Sequence, residues 1–393
     1  MTPTTLLWLV TGCLMLQPLS TDLYLASLPS MASDFATTPA AVQQTLSLFV
    51  FGFGTAQLVS GPLSDRYGRR PVLIGGLLVY LLAGLACALA PELDWLIVAR
   101  FVQAIGCCTA VVVVRAVIRD AYSAAEGTRV LAKASSLLAL APLFGPILGG
   151  YLQVVFGWRA AFVALVLAGL IVWIAAMRHM KESNNQLDPD AMRLANLAAT
   201  YRDVLRTPAF WAYALPGAIS YASIFVFISG TPFVLIKVLG VPIQYYGYLF
   251  AMGICGYLSG TLICRRLLGS IGVARTLTLG TTVGLVGGLG FFGLVLAGVS
   301  NWVLVVAAQF VVMIAHGINF PCTQSGSLAP FPEKAGSAAG MFGCLVMFAA
   351  LLAGMWVGSS HDGTLLPLAR ISATLGVILF TSTRLLTRYG KVD

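Results

Sequence analysis

Three ionisable side chains fall inside long apolar stretches of the first half of the sequence: Asp22, Arg100 and Arg115. A charge in hydrocarbon is costly, so such residues face a cavity or a partner and mark ion or substrate pathways. Asp22 is the one carboxylate expected within the membrane anywhere in the chain. It lies toward the outer third of the first apolar run, and Arg100 lies at matching depth near the start of the fourth. Loss of water and a nearby guanidinium act in opposite directions on a carboxyl group. A site balanced between them loads and releases a proton as water access alternates, which is the chemistry of a proton-coupled exchanger. A static Asp22–Arg100 bridge is the alternative. Arg115 lies deeper, toward the inner side, where a different partner is expected.

A second cluster surrounds a short turn, Gly61-Pro-Leu-Ser-Asp65-Arg66-Tyr-Gly68-Arg69-Arg70-Pro71. Gly68 permits the bend, and the arginines anchor the turn at the headgroup level. Asp65 suits the positive end of a helix dipole. Arg115-Ala-Val-Ile-Arg119-Asp120 ends the fourth run, and Asp120 is expected to pair with Arg69 or Arg66. Contacts of this kind latch one state of a two-state molecule and break in the other. The fifth run carries Pro142, Gly145, Pro146, Gly149 and Gly150. Small residues four apart allow close helix packing, and a packing and hinge role outweighs ligand contact there. Gly280, Gly284 and Gly288 are read the same way, not as a nucleotide loop. Sparse polar and aromatic side chains that suit an amphipathic, drug-sized ligand are Tyr24, Gln43, Phe49, Phe53, Gln57, Gln103, Tyr221, Phe225, His316 and Asn319. His316 suits packing or a hydrogen bond better than a proton relay.

The elements that hold these residues are set by composition. Hydrophobic residues make up 59% of the 393-residue chain and charged ones 9%, against roughly 25% charged in a soluble domain. Twelve apolar runs follow, near 6–28, 41–63, 71–90, 95–117, 130–154, 157–178, 209–229, 243–264, 275–298, 302–324, 336–358 and 364–384. Each is long enough to span the bilayer as a helix. The runs are continuous rather than alternating, which excludes a membrane barrel. The first run lacks a basic start and is read as retained, not as a signal peptide. Of the 23 Lys and Arg, all but five fall in alternate segments; the exceptions are Arg100 and Arg115 within runs and Arg159, Lys237 and Arg370 opposite. The positive-inside rule then puts both termini in the cytoplasm. This asymmetry accounts for the net charge of +9, which does not imply nucleic-acid binding.

The longest polar stretch, 179–208, divides an N-terminal bundle, 1–178, from a C-terminal bundle, 209–393, with a short amphipathic helix expected from Asp190 to Leu205. Arg100-Phe-Val-Gln-Ala-Ile-Gly has its counterpart in Gln309-Phe-Val-Val-Met-Ile-Ala, and the Asp65–Arg70 turn has a degenerate one in Arg265, Arg266, Gly272 and Arg275. Paired halves around a midplane site suit alternating access. The eight cysteines lie in or at the ends of apolar runs, with no CxxC pair and no metal-ligand spacing. No nucleophile, paired-acid or metal constellation suggests an enzyme.

Taken together these residues resemble the major facilitator superfamily over essentially the whole chain. Gly61 to Pro71 is similar to its loop signature between the second and third helices. Arg100, Gln103 and Gly106 are similar to the fourth-helix signature of proton-coupled members, and Gly145-Pro146 with Gly149-Gly150 to the fifth-helix signature of antiporters. Thr21-Asp22-Leu-Tyr24-Leu and Arg115 to Asp120 resemble the bicyclomycin-resistance (Bcr/CflA) group of drug:proton antiporters. The chain departs from the pattern at Ala141, where a glycine is usual, and at Gln17, where some drug exporters carry a second acid. The resemblance implies an all-α fold of twelve transmembrane helices in two pseudo-symmetric six-helix bundles. It implies Asp22 as the protonation site with Arg100 as its partner, and Asp65 and Asp120 in an interdomain charge relay. The expected function is proton-driven export of small amphipathic compounds across a bacterial inner membrane. The expected partners are protons, lipid and a small-molecule substrate; no cofactor is expected beyond the proton gradient, and a monomer suffices. A specific metabolite exporter, a proton-coupled importer and an uncoupled facilitator are the competing readings.

Overall fold

The computed structural model describes residues 3–184 and 186–386, and the described residues hold helices and no strand. Asn185, Arg388 and Lys391, which entered the linker and charge arguments, lie outside them.

The first crossing is broken. Helix α1, Pro3–Asp22, stops at Asp22; a 3-10 turn, Leu25–Ser27, and α2, Leu28–Asp34, complete it. This corrects the continuous run expected from 6 to 28. Pro18 inside α1 has no N–H to donate. The Thr21 hydroxyl donates to the Pro18 carbonyl at 3.0 Å, drawing on the backbone acceptors of the last turn. Helix α3, Pro39–Tyr67, starts at Thr38, whose hydroxyl accepts from Ala41 N, and ends at Gly68 with φ +96°. A side chain rarely adopts that conformation, so the turn depends on glycine. Then follow α4, Arg69–Ala88; α5, Leu93–Ala121; α6, Ala124–Leu138, and α7, Leu140–Phe156, which share one crossing; and α8, Arg159–His179.

The linker forms α9, Leu194–Arg206, a few residues later than its expected start. Helix α10, Pro208–Pro232, runs into a π-helical turn, Phe233–Val238. The stretch α11, Ile243–Leu296, is two helices joined at Gly272, where the backbone leaves the helical region at φ +75°. At about 1.5 Å per residue this is far longer than a hydrocarbon layer of about 30 Å, so it crosses twice. Helices α12, Trp302–Leu328, α13, Ala335–Ser360, and α14, Leu366–Leu386, complete the chain. Eleven helical stretches among the described residues are long and apolar enough to cross a membrane, and the bend at Gly272 makes them twelve crossings.

The crossings form two sets of six. In the first, α5 packs between α3 and α4, and α8 closes on α4. The Gly106 backbone meets those of Gly76 and Tyr80, an approach any side chain would block. In the second, α12 packs on α11 and α10, with Gly260 and Gly317 at the matching close approach. Lipid removes most of the hydrophobic drive between helices, so such small-residue contacts carry the association. Leu82, Val98, Val155 and Ile171 are exposed and form part of the apolar belt. The sets meet chiefly where α3 lies along α13 and where α7 lies against the first part of α11.

Candidate functional site

Arg100 is fully buried in the first set. Its Nη1 donates to Gln103 Oε1 at 2.7 Å and its Nη2 to the Ser20 carbonyl at 2.8 Å. The guanidinium lies 4.1 Å from the Phe49 ring centroid, 4.6 Å from Tyr24 and 5.6 Å from Phe162. These faces supply cation–π attraction in place of water. Tyr24, Phe49 and Gln103, expected in a substrate pocket, therefore form the cage of this arginine instead.

Among the described residues Asp22 and Arg100 make no ion pair, so this arrangement holds neither the static bridge of the alternative reading nor the pairing that the resemblance implies. Arg100 holds helix α1 by the backbone at Ser20, while the Asp22 side chain turns to α7; residues two apart on a helix do not share a face. A Cβ on Gly145 would lie 3.6 Å from that of Asp22. Asp22 is 5% exposed, and its carboxylate lies 2.8 Å from the Thr21 hydroxyl, competing with the Pro18 carbonyl for its one proton. The Tyr221 and Tyr246 hydroxyls of the second set lie within electrostatic range. Asp22 thus sits at the end of α1, at the junction of both sets. Gly149 of α7 leaves room for the Leu23 carbonyl beside it, and Gly150 for the Ile243 carbonyl.

The turn after α3 closes on a charge triad. Arg69 Nη1 meets Asp65 Oδ1 at 2.6 Å and its Nε meets Asp120 Oδ2 at 2.9 Å. Ser64 Oγ accepts from Arg69 Nη1 at 2.6 Å. The expected Arg69–Asp120 pair is present, but other expected members of the switch stand apart from it. Arg66 stacks on Tyr67. Arg70 donates to the Met180 carbonyl at 2.9 Å, capping the end of α8. Arg115 and Arg119 face a cavity.

The linker contributes a residue that sequence reasoning missed. Glu182 accepts the backbone N–H groups of Arg69, Arg70, Ser183 and Asn184 at 2.8 to 3.0 Å, covering the N-terminus of α4. Burial pushes this carboxyl up, but the four donors outweigh it and hold it below the ordinary range. A carboxylate at a helix N-terminus is a usable sequence signal only when sequence neighbours supply it; here it arrives from more than a hundred positions away.

The face that carries Arg66, Arg69, Arg70 and Lys334, the basic face, opens into a cavity of about 360 Å³. Its walls come from α3 (Gln57, Gly61, Asp65), α5 (Arg115, Arg119) and the start of α13, with Tyr201 of α9 across the mouth. Tyr201 donates to the Leu58 carbonyl at 2.6 Å, and Lys334 pairs with Asp203 of α9 at 3.1 Å. The opposite face is sealed between the sets. Gln43 Nε2 donates to the Ser229 carbonyl at 2.9 Å, and the Tyr151 and Tyr248 hydroxyls lie 3.1 Å apart. Gly247 of α11 rests on the backbone of Pro146 and Ile147.

Of the side chains expected to shape the substrate pocket, Gln57 lines this cavity. Gln43 belongs to the far seal. Phe53 is buried. Tyr221 and Phe225 stack at 6.5 Å, and His316 lies 5.8 Å from Tyr221 with Ser220 Oγ at 3.0 Å from its Nδ1. Asn319 is buried in the second set against Gly280. Pro142 lies in the first turn of α7, which carries the glycine pairs to the seal.

Two six-helix sets, a buried acid at their junction and a cavity open on one face define a polytopic membrane transporter. A family model for the Major Facilitator Superfamily matches residues 10–355. The chain belongs to that superfamily. A bicyclomycin resistance protein homolog of Haemophilus influenzae is 27% identical over 90% of this chain and 89% of its own length. A chloramphenicol resistance protein of Pseudomonas aeruginosa is 30% identical, over 84% of this chain and 78% of its own. The crystal structure of a D-xylose-proton symporter superposes with a TM-score of 0.76 over 96% of each chain at 14% identity, a likeness of fold.

Proposed function

We propose that the protein is a proton-coupled exporter of small amphipathic compounds in a bacterial inner membrane. Residues 1–178 and 209–393 act as two bodies joined by the linker at 179–208. The basic face is the cytoplasmic face, as the distribution of Lys and Arg requires, and the described arrangement is then open to the inside. The names of the relatives support export of antibiotic-like compounds.

The observation that carries coupling is the setting of Asp22. It is buried, it has no cation within ion-pair distance among the described residues, and it lies beside α7, which seals against the second set, with Tyr221 and Tyr246 of that set in electrostatic range. A desolvated carboxylate without a counter-charge is costly, and a proton supplies that charge. Opening the far seal admits water and protons to Asp22 beside α7. Return to the described arrangement delivers that proton inward as substrate enters the cavity. Linkage makes the coupling reciprocal: a substrate that favours loss of the proton is itself bound less tightly when the proton is present. Arg100 serves by holding the broken end of α1 in place, not by pairing with the acid.

The test is transport in proteoliposomes under an imposed pH gradient, comparing wild type with Asp22→Asn. Gradient-driven accumulation is expected to vanish in the variant, while exchange down a substrate gradient persists. Full gradient-driven transport by Asp22→Asn overturns the assignment, and uptake in the direction of proton flow makes the protein an importer.

A further inference from the structure

The cavity on the basic face holds positive charge that the protein leaves unpaired. Arg115 and Arg119 lie four apart on α5 and face the same space, as helical spacing requires. Arg69 is satisfied by Asp65 and Asp120, and Lys334 by Asp203. Among the described residues, neither Arg115 nor Arg119 has an ion-pair or hydrogen-bond partner. Two acids reach the cavity wall: Asp65, which is held by Arg69, and Glu333, which lies exposed just before the start of α13. Asp120, next to Arg119 in sequence, turns away to Arg69.

A guanidinium does not shed its proton to escape this situation. Both side chains are exposed toward the cavity; a cation at this depth normally has a partner, and among the described residues none is present. The rest of the wall is mixed: Val112, Ala116, Ala339 and Gly340 are small or apolar, while Gln57, Tyr201 and Ser337 add neutral polar groups. A volume of about 360 Å³ suits a compact organic molecule rather than an inorganic ion.

We propose that this cavity selects amphipathic organic compounds bearing a carboxylate. Arg115 takes the carboxylate in a forked hydrogen bond, Arg119 draws it in from the rim, and the apolar wall of α5 and α13 takes the body. Lipophilic cations are disfavoured by the same charges. This deepens the export reading by naming the substrate class, and rests on it only for the direction of transport.

The experiment is equilibrium dialysis of the purified full-length protein against two radiolabelled probes of nearly equal shape, 1-naphthylacetate and 1-naphthylacetamide. Losing a hydrogen bond to a charged group is expected to give about a tenfold preference for the acid in wild type. Arg115→Gln is expected to bring the acid-to-amide ratio close to one, Arg115→Lys to keep it above one, and Arg119→Gln to lower it in part. The ratio is insensitive to a general loss of folded protein, because both probes report on the same sample. Equal binding of the two probes by wild type overturns the proposal, as does an Arg115→Gln protein that keeps the full ratio. Acid-selective binding without gradient-driven transport leaves the proposal standing and sinks the export reading instead.

Discussion

At Arg100 a full positive charge sits in the interior with neutral partners only: three aromatic faces, one amide oxygen and one backbone carbonyl. The arrangement uses the plane of the guanidinium as much as its charge. Lysine would keep the charge but lose the stacking and one of the two directed bonds. Arg100→Lys is therefore expected to lower the stability of the detergent-solubilised protein by at least about 2 kcal/mol, read as a fall in thermal unfolding midpoint. An unchanged midpoint would show that a point charge suffices and would return Arg100 to the role of electrostatic partner. The pairing of Asp22 with Arg100 was read from matching depth and from the family resemblance. Depth was legible because rise per residue is fixed by helix geometry. Azimuth was not, because helices apolar on every side give no phase by which to rotate them. The same lack of phase hid the cavity: Gln57 was among the expected lining residues, whereas Tyr24, Phe49 and Gln103 turn into the first set and Tyr201 was not considered.

At the scale of elements, the crossings themselves were readable, including the polar linker and the boundary near Gly272, since length and hydropathy decide them. Breaks inside a crossing were not. The end of α1 at Asp22 depends on Pro18 and on the Thr21 hydroxyl competing for carbonyls, and the π-helical turn after Pro232 carries no composition signal. Nor was the seat of Glu182 readable, because two of the four N–H groups it accepts belong to α4, far from it in sequence. Its carboxyl is held below the ordinary range, so its contribution has a definite pH sense. The stabilisation is complete above the unfolded-chain value, about 4.3, and is lost only as pH falls through the lower folded value. Hydrogen exchange of the segment 180–188 is expected to stay slow in wild type down to about pH 4 and to quicken below it. Glu182→Gln is expected to show the quickened exchange already at pH 7. The effect is local and small, a few tenths to about 1 kcal/mol, because the group is largely exposed. Slow exchange in the variant at pH 7 would show that other contacts hold the linker, such as Asp188 N to the Asp65 carbonyl at 3.1 Å.

For the whole molecule, the far seal is the element whose energy sets which way the transporter faces. Beside the Gln43–Ser229 and Tyr151–Tyr248 contacts, it is built from backbone against backbone: Gly247 on Pro146 and Ile147, and Gly150 on Ile243. A single methyl at Gly247 has no room, because the atoms facing it are main chain and cannot rotate aside. Overpacking of this kind costs about 1–3 kcal/mol. States of a two-state protein are separated by a few kcal/mol, and each 1.4 kcal/mol is tenfold in population. Gly247→Ala should therefore move the protein about ten- to a hundredfold toward the arrangement open on the far face. The readout is a cysteine at Gln57, in a background lacking the native cysteines, probed with a membrane-impermeant maleimide. In right-side-out vesicles, labelling from the far face is expected to rise with Gly247→Ala; in inverted vesicles, labelling from the basic face is expected to fall. The two changes must occur together, because alternating access allows one opening at a time. If labelling rises from both faces, the methyl has loosened the contact between the sets without reorienting them, and the seal is then a packing surface rather than a gate.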